Sequence, residues 1–239
     1  MLNSLGIVKK ITGIFEWSTQ KKYFTREIKN IFFNKTVVVV GSSPELIGAK
    51  LGAFIDSHDF VVRINGTRRV SDLEDFGLRT DCVILGGTFS SEGQIRDRIP
   101  DINANFFVIS TQKNKSLIDR YFKFKNVFYY PALLPKKISE EVERSLGCRV
   151  WGRPFRPPRS GFVMIFAIHK YAQPKKISVI GMSSDSNAAR QTIDQNGEIR
   201  TYDERLLLGK HCDPRIEIQA LKMFVDQHEN ITWINGKPA

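Results

Sequence analysis

The chain has 239 residues, with 36 Lys and Arg against 25 Asp and Glu, a net charge of +11 and 41% hydrophobic residues. That length suits one large domain with a full core, and the composition is that of an ordinary globular protein. Three scattered cysteines, Cys82, Cys148 and Cys212, argue against a disulfide framework or a zinc site, and no run reaches the roughly 18 apolar residues of a membrane helix. The basic balance favours an anionic partner: nucleic acid, an acidic membrane surface, or a phosphorylated or carboxylated small molecule. Sparse cysteine points to a reducing compartment, hence the cytoplasm.

Residues 1–34, "MLNSLGIVKKITGIFEWSTQKKYFTREIKNIFFN", mix apolar residues with Lys and Arg and lack the core and cleavage site of a signal peptide. Two readings stand: a helix packed on the domain, or a basic amphipathic helix lying on an anionic bilayer, which would put the protein at the inner face of the membrane. The remaining chain, 35–239, reads as one domain. Strands are predicted at "TVVVV" (36–40), "FVVRIN" (60–65), "CVILGG" (82–87), "NFFVIS" (105–110), "NVFYYP" (126–131), "KISVIG" (176–181) and "ITWIN" (231–235). Several are apolar without alternation, as strands covered on both faces are. Helical periodicity lies between them, at 116–124, 138–146, 161–172 and 215–228. The alternation predicts an α/β fold: a single-domain, Rossmann-like, doubly wound and mainly parallel sheet with helices on both faces.

Such sheets bind ligands at the carboxyl ends of their strands. The turns "GSSPEL" (41–46) and "GMSSDSN" (181–187) follow two predicted strands and are placed accordingly, although a strand must turn in any case. In "PFRPPRSGFVMIFAIH" (154–169), Ser160 is a natural N-cap of an apolar helix. That start either binds an anion, helped by Arg153, Arg156 and Arg159, or merely caps a buried helix.

These stretches resemble the sialylmotifs of the sialyltransferases, glycosyltransferase family 29. "VVVVGSSPELIGAKLGAFIDSHDFVVRINGTRRVSDLEDFGLRTD" resembles the large motif, with "IDSHDFVVRIN" matching its middle residue for residue. "PPRSGFVMIFAIHKYAQPKKISVIGM" resembles the small motif, "RTYDE" (200–204) the short third motif, and "HCDPRIE" (211–217) the last. The likeness spans roughly 36–225, with the elements in the family's order.

The resemblance implies a variant GT-A fold and transfer of an acidic sugar, sialic acid first, from its CMP-activated donor to a glycan or lipid-linked hydroxyl. The reaction would invert the anomeric centre and need no metal or other cofactor. His211 matches the catalytic base, a role its ordinary pKa suits; Glu217 would orient it or serve the local fold. Gly41, Ser42, Ser43, Asn65, Ser160, Gly161, Gly181 and Tyr202 match the donor-binding positions. Asp56, His58, Asp59 and Arg63 are expected to brace the nucleotide loop, because charges beside core strands must be paired or hydrogen-bonded.

Three departures from the family pattern stand out. Ser42 replaces an asparagine, and Thr201 replaces the third motif's histidine, which shifts phosphate binding to Tyr202, Tyr129, Tyr130 or a basic residue. The cysteine pair of many animal members is missing, with Thr36 or Val37 and Tyr171 near those places. A related donor such as CMP-Kdo, or a non-catalytic nucleotide- or RNA-binding relative, stays open. Nucleic acid is the less favoured partner, since the cations are scattered and no RNA-binding motif interleaves them with aromatics.

Overall fold

The computed structural model describes residues 22, 24–64, 73–85, 106–110, 129–133, 141, 142, 144, 159–185, 191–193, 198–201 and 214–234. The described residues hold nine strands: β1 (Thr36–Val40), β2 (Phe60–Ile64), β3 (Cys82–Leu85), β4 (Phe106–Ser110), β5 (Tyr129–Leu133), β6 (Lys176–Ile180), β7 (Gln191–Ile193), β8 (Ile199–Thr201) and β9 (Ile231–Ile234). Seven of them make one sheet in the order β5-β4-β3-β2-β1-β6-β9. Every neighbouring pair in it is parallel. β7 and β8 pair antiparallel outside it.

The chain winds outward from β1 to β5, then returns to the other side of β1 for β6 and β9. The strand order therefore reverses between β1 and β6, and a doubly wound sheet opens its ligand crevice at that point.

Helices cover both faces, as expected. On one face lie α1 (residues 24–32), α4 (Ser160–Ala167, continuing as a π-helical turn through Ile168–Ala172) and α5 (Pro214–Asp226). Their Phe24, Ile28, Phe32, Phe162, Ile165 and Leu221 pack on Val37, Val39, Val62, Ile84 and Val179. On the other face α2 (Gly52–Asp56), α3 (Leu73–Phe76) and the 3-10 turn Pro44–Leu46 enclose Val38, Val40, Val61 and Ile180 with Leu46, Leu51, Ile55 and Phe76. Val37 to Val40 are fully buried on alternating faces, which explains why β1 has no polar positions there. Each contributes about 1.5–3 kcal/mol of burial.

α4 is buried from Gly161 to Ala167, so it too lacks a polar side. The predicted helix at 116–124 lies outside the described residues; of the one at 138–146, residues 141, 142 and 144 are helical. Backbone hydrogen bonds join the segment before β1 to the one before β6. Asn34 N donates to Gln173 O (3.2 Å) and Lys175 N to Lys35 O (2.9 Å).

Candidate active site

At the switch point two glycine turns touch. Gly41 N donates to Ile180 O (2.8 Å) and Ser43 N to Gly181 O (2.9 Å), extending the β1–β6 ladder past the last strand residues. A Cβ on Gly41 would overlap the carbonyl of Gly181, and Gly181 itself has φ +64. Both positions therefore call for glycine, one for close approach and one for backbone conformation.

The Ser43 hydroxyl is 3% exposed and internally engaged. It accepts from Glu45 N (3.3 Å) and is bonded to Ser183 Oγ (3.0 Å). Ser42 is half-buried on the same turn. The two serines singled out together thus differ: Ser43 holds the two turns to each other, and Ser42 lies nearer the surface. Sequence reading missed Ser183 and Trp233. Trp233 on β9 donates through Nε1 to Met182 O (3.0 Å), fixing the second turn from the far side. The signal for Ser183 was present, since "GMSS" repeats the pattern of "GSS" after a core strand.

The start of α4 completes the crevice. A Cβ on Gly161 would lie 2.5 Å from Ile64 Cδ1 and 2.8 Å from Met182 Cε, so the helix begins against the end of β2 and the second turn. Ser160 is not the N-cap that the sequence suggested. Arg159 is, with extended backbone (φ −64, ψ 149) and no capping bond from its own side chain. The reason is Glu217 in the first turn of α5, whose carboxylate accepts from Arg159 N (3.3 Å) and from Arg159 Nε (2.9 Å). That carboxylate caps α4 from outside its own sequence and complements the positive helix end. Glu217 is 2% exposed, and its charge is matched by the same Arg159. It thereby ties the last motif to the small motif, a role reading along the chain could not assign.

Asn65, Tyr202 and His211 lie outside the described residues, as do Arg153 and Arg156. Asn65 directly follows Ile64, the last residue of β2, while Tyr202 follows Thr201 at the end of β8. Thr201 is exposed and pairs with Gln191, and β7 runs beside the Pro44–Leu46 turn. Among the described residues no group of three or more His, Cys, Asp or Glu is placed to hold a metal.

Asp56, His58 and Asp59 do not brace this crevice. They precede β2 and so lie at the opposite, amino edge of the sheet. Asp56 accepts from Leu78 N (2.7 Å) and Arg79 N (2.8 Å), shaping the turn before β3. Asp59 accepts from Thr36 N and Thr36 Oγ1 (both 2.8 Å), which holds its carboxyl below the usual range. His58 donates from Nδ1 to Phe54 O (2.9 Å), because a carbonyl can only accept, and Nε2 then accepts from Ser178 Oγ (2.8 Å). Burial favours the neutral ring by lowering its pKa. Arg63 is fully buried on β2, and its guanidinium donates to Phe76 O (2.7 Å), Arg79 O (2.8 Å) and Thr80 Oγ1 (2.9 Å). The physical reason for the correction is strand direction. A charged cluster before a parallel strand lands at the end where ligands do not bind.

The sequence model of glycosyltransferase family 29 (sialyltransferase) matches residues 5–149, more than half of the chain. The chain belongs to glycosyltransferase family 29. The protein is accordingly a glycosyltransferase of the sialyltransferase kind. The matched span ends before Ser160, so assignments in the second half rest on motif order and on the crevice geometry. Two solved structures share the fold. A mammalian sialyltransferase is 20% identical over 85% of this chain and 70% of that one, with a TM-score of 0.57. A mammalian sialyltransferase in complex with Gal-beta-1-3GalNAc-ortho-nitrophenol is 19% identical over 85% of this chain and 70% of that one, with a TM-score of 0.55. No curated protein sequence matches the chain.

Proposed function

We propose that this family-29 enzyme transfers an acidic sugar, sialic acid first, from its CMP donor to a glycan or lipid-linked hydroxyl, with inversion and without a metal. The observation that carries the reading is the meeting of the Gly41–Ser43 turn, the Gly181–Ser183 turn and the start of α4 at the switch point. Turns of small residues let the donor approach the backbone closely, and the basic stretch before α4 suits its phosphate and carboxylate. In this proposal Ser42, Asn65, Ser160 and Gly161 line the nucleotide, Gly41 and Gly181 let it approach the backbone, and Ser43 keeps the turns together.

The acceptor hydroxyl attacks the sugar's anomeric carbon as its bond to the CMP phosphate oxygen breaks. His211 takes the hydroxyl proton, and CMP leaves as the anion. Pro214 at the start of α5 lies just past "HCD" in the chain, so His211 stays within roughly 11 Å of that helix. α5, which follows His211 in the chain, is joined to α4 through Glu217 and Arg159. Tyr202, next to Thr201, is the proposed partner of the departing phosphate in place of the family's histidine.

The test is metal-free release of CMP from CMP-sialic acid and from CMP-Kdo, with and without acceptors, Gal-beta-1-3GalNAc among them, in wild type and His211→Ala. Release from CMP-sialic acid that falls by about 100-fold or more in the variant supports the donor and the base together. Release confined to CMP-Kdo replaces the sugar, unchanged release in the variant removes His211, and silence with every donor and acceptor removes catalysis. Cytoplasmic residence is part of the proposal and rests on the sparse cysteines. Cell fractionation tests it.

A further inference from the structure

We propose that the outward face of α1 is a docking surface for an anionic lipid bilayer. The sequence allowed the apolar side of this segment to lie on a membrane. For residues 24–32 the structure removes that option, because Phe24, Ile28, Ile31 and Phe32 are at most 8% exposed in the domain core. What remains is the other side of the same helix. Lys22, Arg26, Lys29 and Phe33 follow one another at intervals of three and four residues, which sets them on one stripe, and all four are exposed.

The stripe carries three cations and runs for roughly 17 Å from Lys22 to Phe33. Its exposed neighbours Asn30 and Asn34 are neutral, and Glu27, the one acid described on this helix, is half-buried and ion-paired to Arg26 (3.4 Å). The stripe ends on Phe33, 53% exposed, with Lys29 Nζ 5.7 Å above its ring. An exposed ring under an ammonium suits the headgroup boundary, where the ring enters the acyl region and the amine stays with lipid phosphates. Lys35 and Lys175 continue the positive surface at the amino edge, with Asp59 near both as its opposing charge. The face is the convex side of a single helix. That shape meets a plane, whereas single-stranded nucleic acid is taken up in grooves lined with stacking aromatics.

The experiment is co-sedimentation of the full chain with vesicles of phosphatidylcholine alone or with one-third phosphatidylglycerol, at low and physiological salt. The wild type is expected to bind only the anionic vesicles, and less at higher salt. Combined Lys22→Glu, Arg26→Glu and Lys29→Glu substitution is expected to lower partitioning by about 100-fold. Phe33→Ala should lower it several-fold at both salt concentrations, and thermal melts verify that the variants fold. The proposal is overturned if the wild type ignores anionic vesicles or if the triple variant binds as well as wild type. It is also overturned if an RNA oligonucleotide binds more tightly than the vesicles and loses binding through the same three residues.

Discussion

At the amino edge of the sheet, Asp56, Asp59, Arg79 and His58 hold two turns through hydrogen bonds to backbone groups, and nearly every polar atom described there has a protein partner. At the carboxyl edge the same strands end in Gly41, Ser42, Ser43, Gly181 and Ser183, which pack backbone on backbone and carry short side chains. One edge is charged, the other small and closely packed. Charges near a core are tolerated when they are fully bonded, which makes a stiff frame and leaves nothing for a ligand. Small residues leave room for a ligand to approach the backbone, so chemistry is expected where the side chains are least conspicuous.

The comparison can be broken first at Arg63. Replacing it with Met leaves the carbonyls of Phe76 and Arg79 without their buried donor, a cost of about 3–5 kcal/mol. A urea titration should show that loss, and because Arg63 lies on β2 two residues before Asn65, KM for the donor is expected to rise several-fold in the same variant. Gly41→Ala should act on the crevice more directly. Its Cβ forces the two turns apart for about 1–3 kcal/mol, and CMP affinity measured by calorimetry should fall by more than about tenfold. Equal CMP affinity in that variant would remove the crevice from the donor site.

Glu217→Gln sharpens the link between α5 and α4. It keeps the shape but weakens the bond to Arg159, costing about 1–2 kcal/mol. A rise in KM for the donor is expected, because the bond to Arg159 positions the start of α4 where the donor is proposed. A stability change alone would confine Glu217 to the fold.

The smallest effect is pH dependence. Burial lowers the pKa of His58 and of His169 below the ordinary 6.5, with Lys176 adding to the first and His228 to the second. The unfolded chain therefore takes up protons first. The stability these rings contribute is complete above pH 6.5 and is lost as pH falls below it toward their folded values. Melting temperature should drop between about pH 7.5 and 5.5, and His58→Gln with His169→Gln should flatten that slope. An unaltered slope would assign the acid sensitivity elsewhere.

Much of this was legible in the chain itself. Seven apolar strands separated by helical patterns, with unalternating valines in β1, are enough to specify a doubly wound parallel sheet, because a strand covered on both faces has no place for polar residues. The glycines after β1 and β6 could be read as tight turns after core strands, and the two turns do meet. The sequence also carried the family, through the "IDSHDFVVRIN" stretch and the order of the motifs around it. Tertiary structure alone decided which residues work at which end. Asp56, His58 and Asp59 are close to the Gly41–Ser43 turn in sequence, yet they precede a parallel strand and so lie at the other end of the sheet from it. Ser43 meets Ser183 across 140 residues, and Glu217 caps a helix through Arg159, 58 positions earlier. Local pattern encodes period and burial. Which strand end a side chain reaches, and which distant group satisfies it, is set by strand order and direction, and those exist only once the sheet has formed.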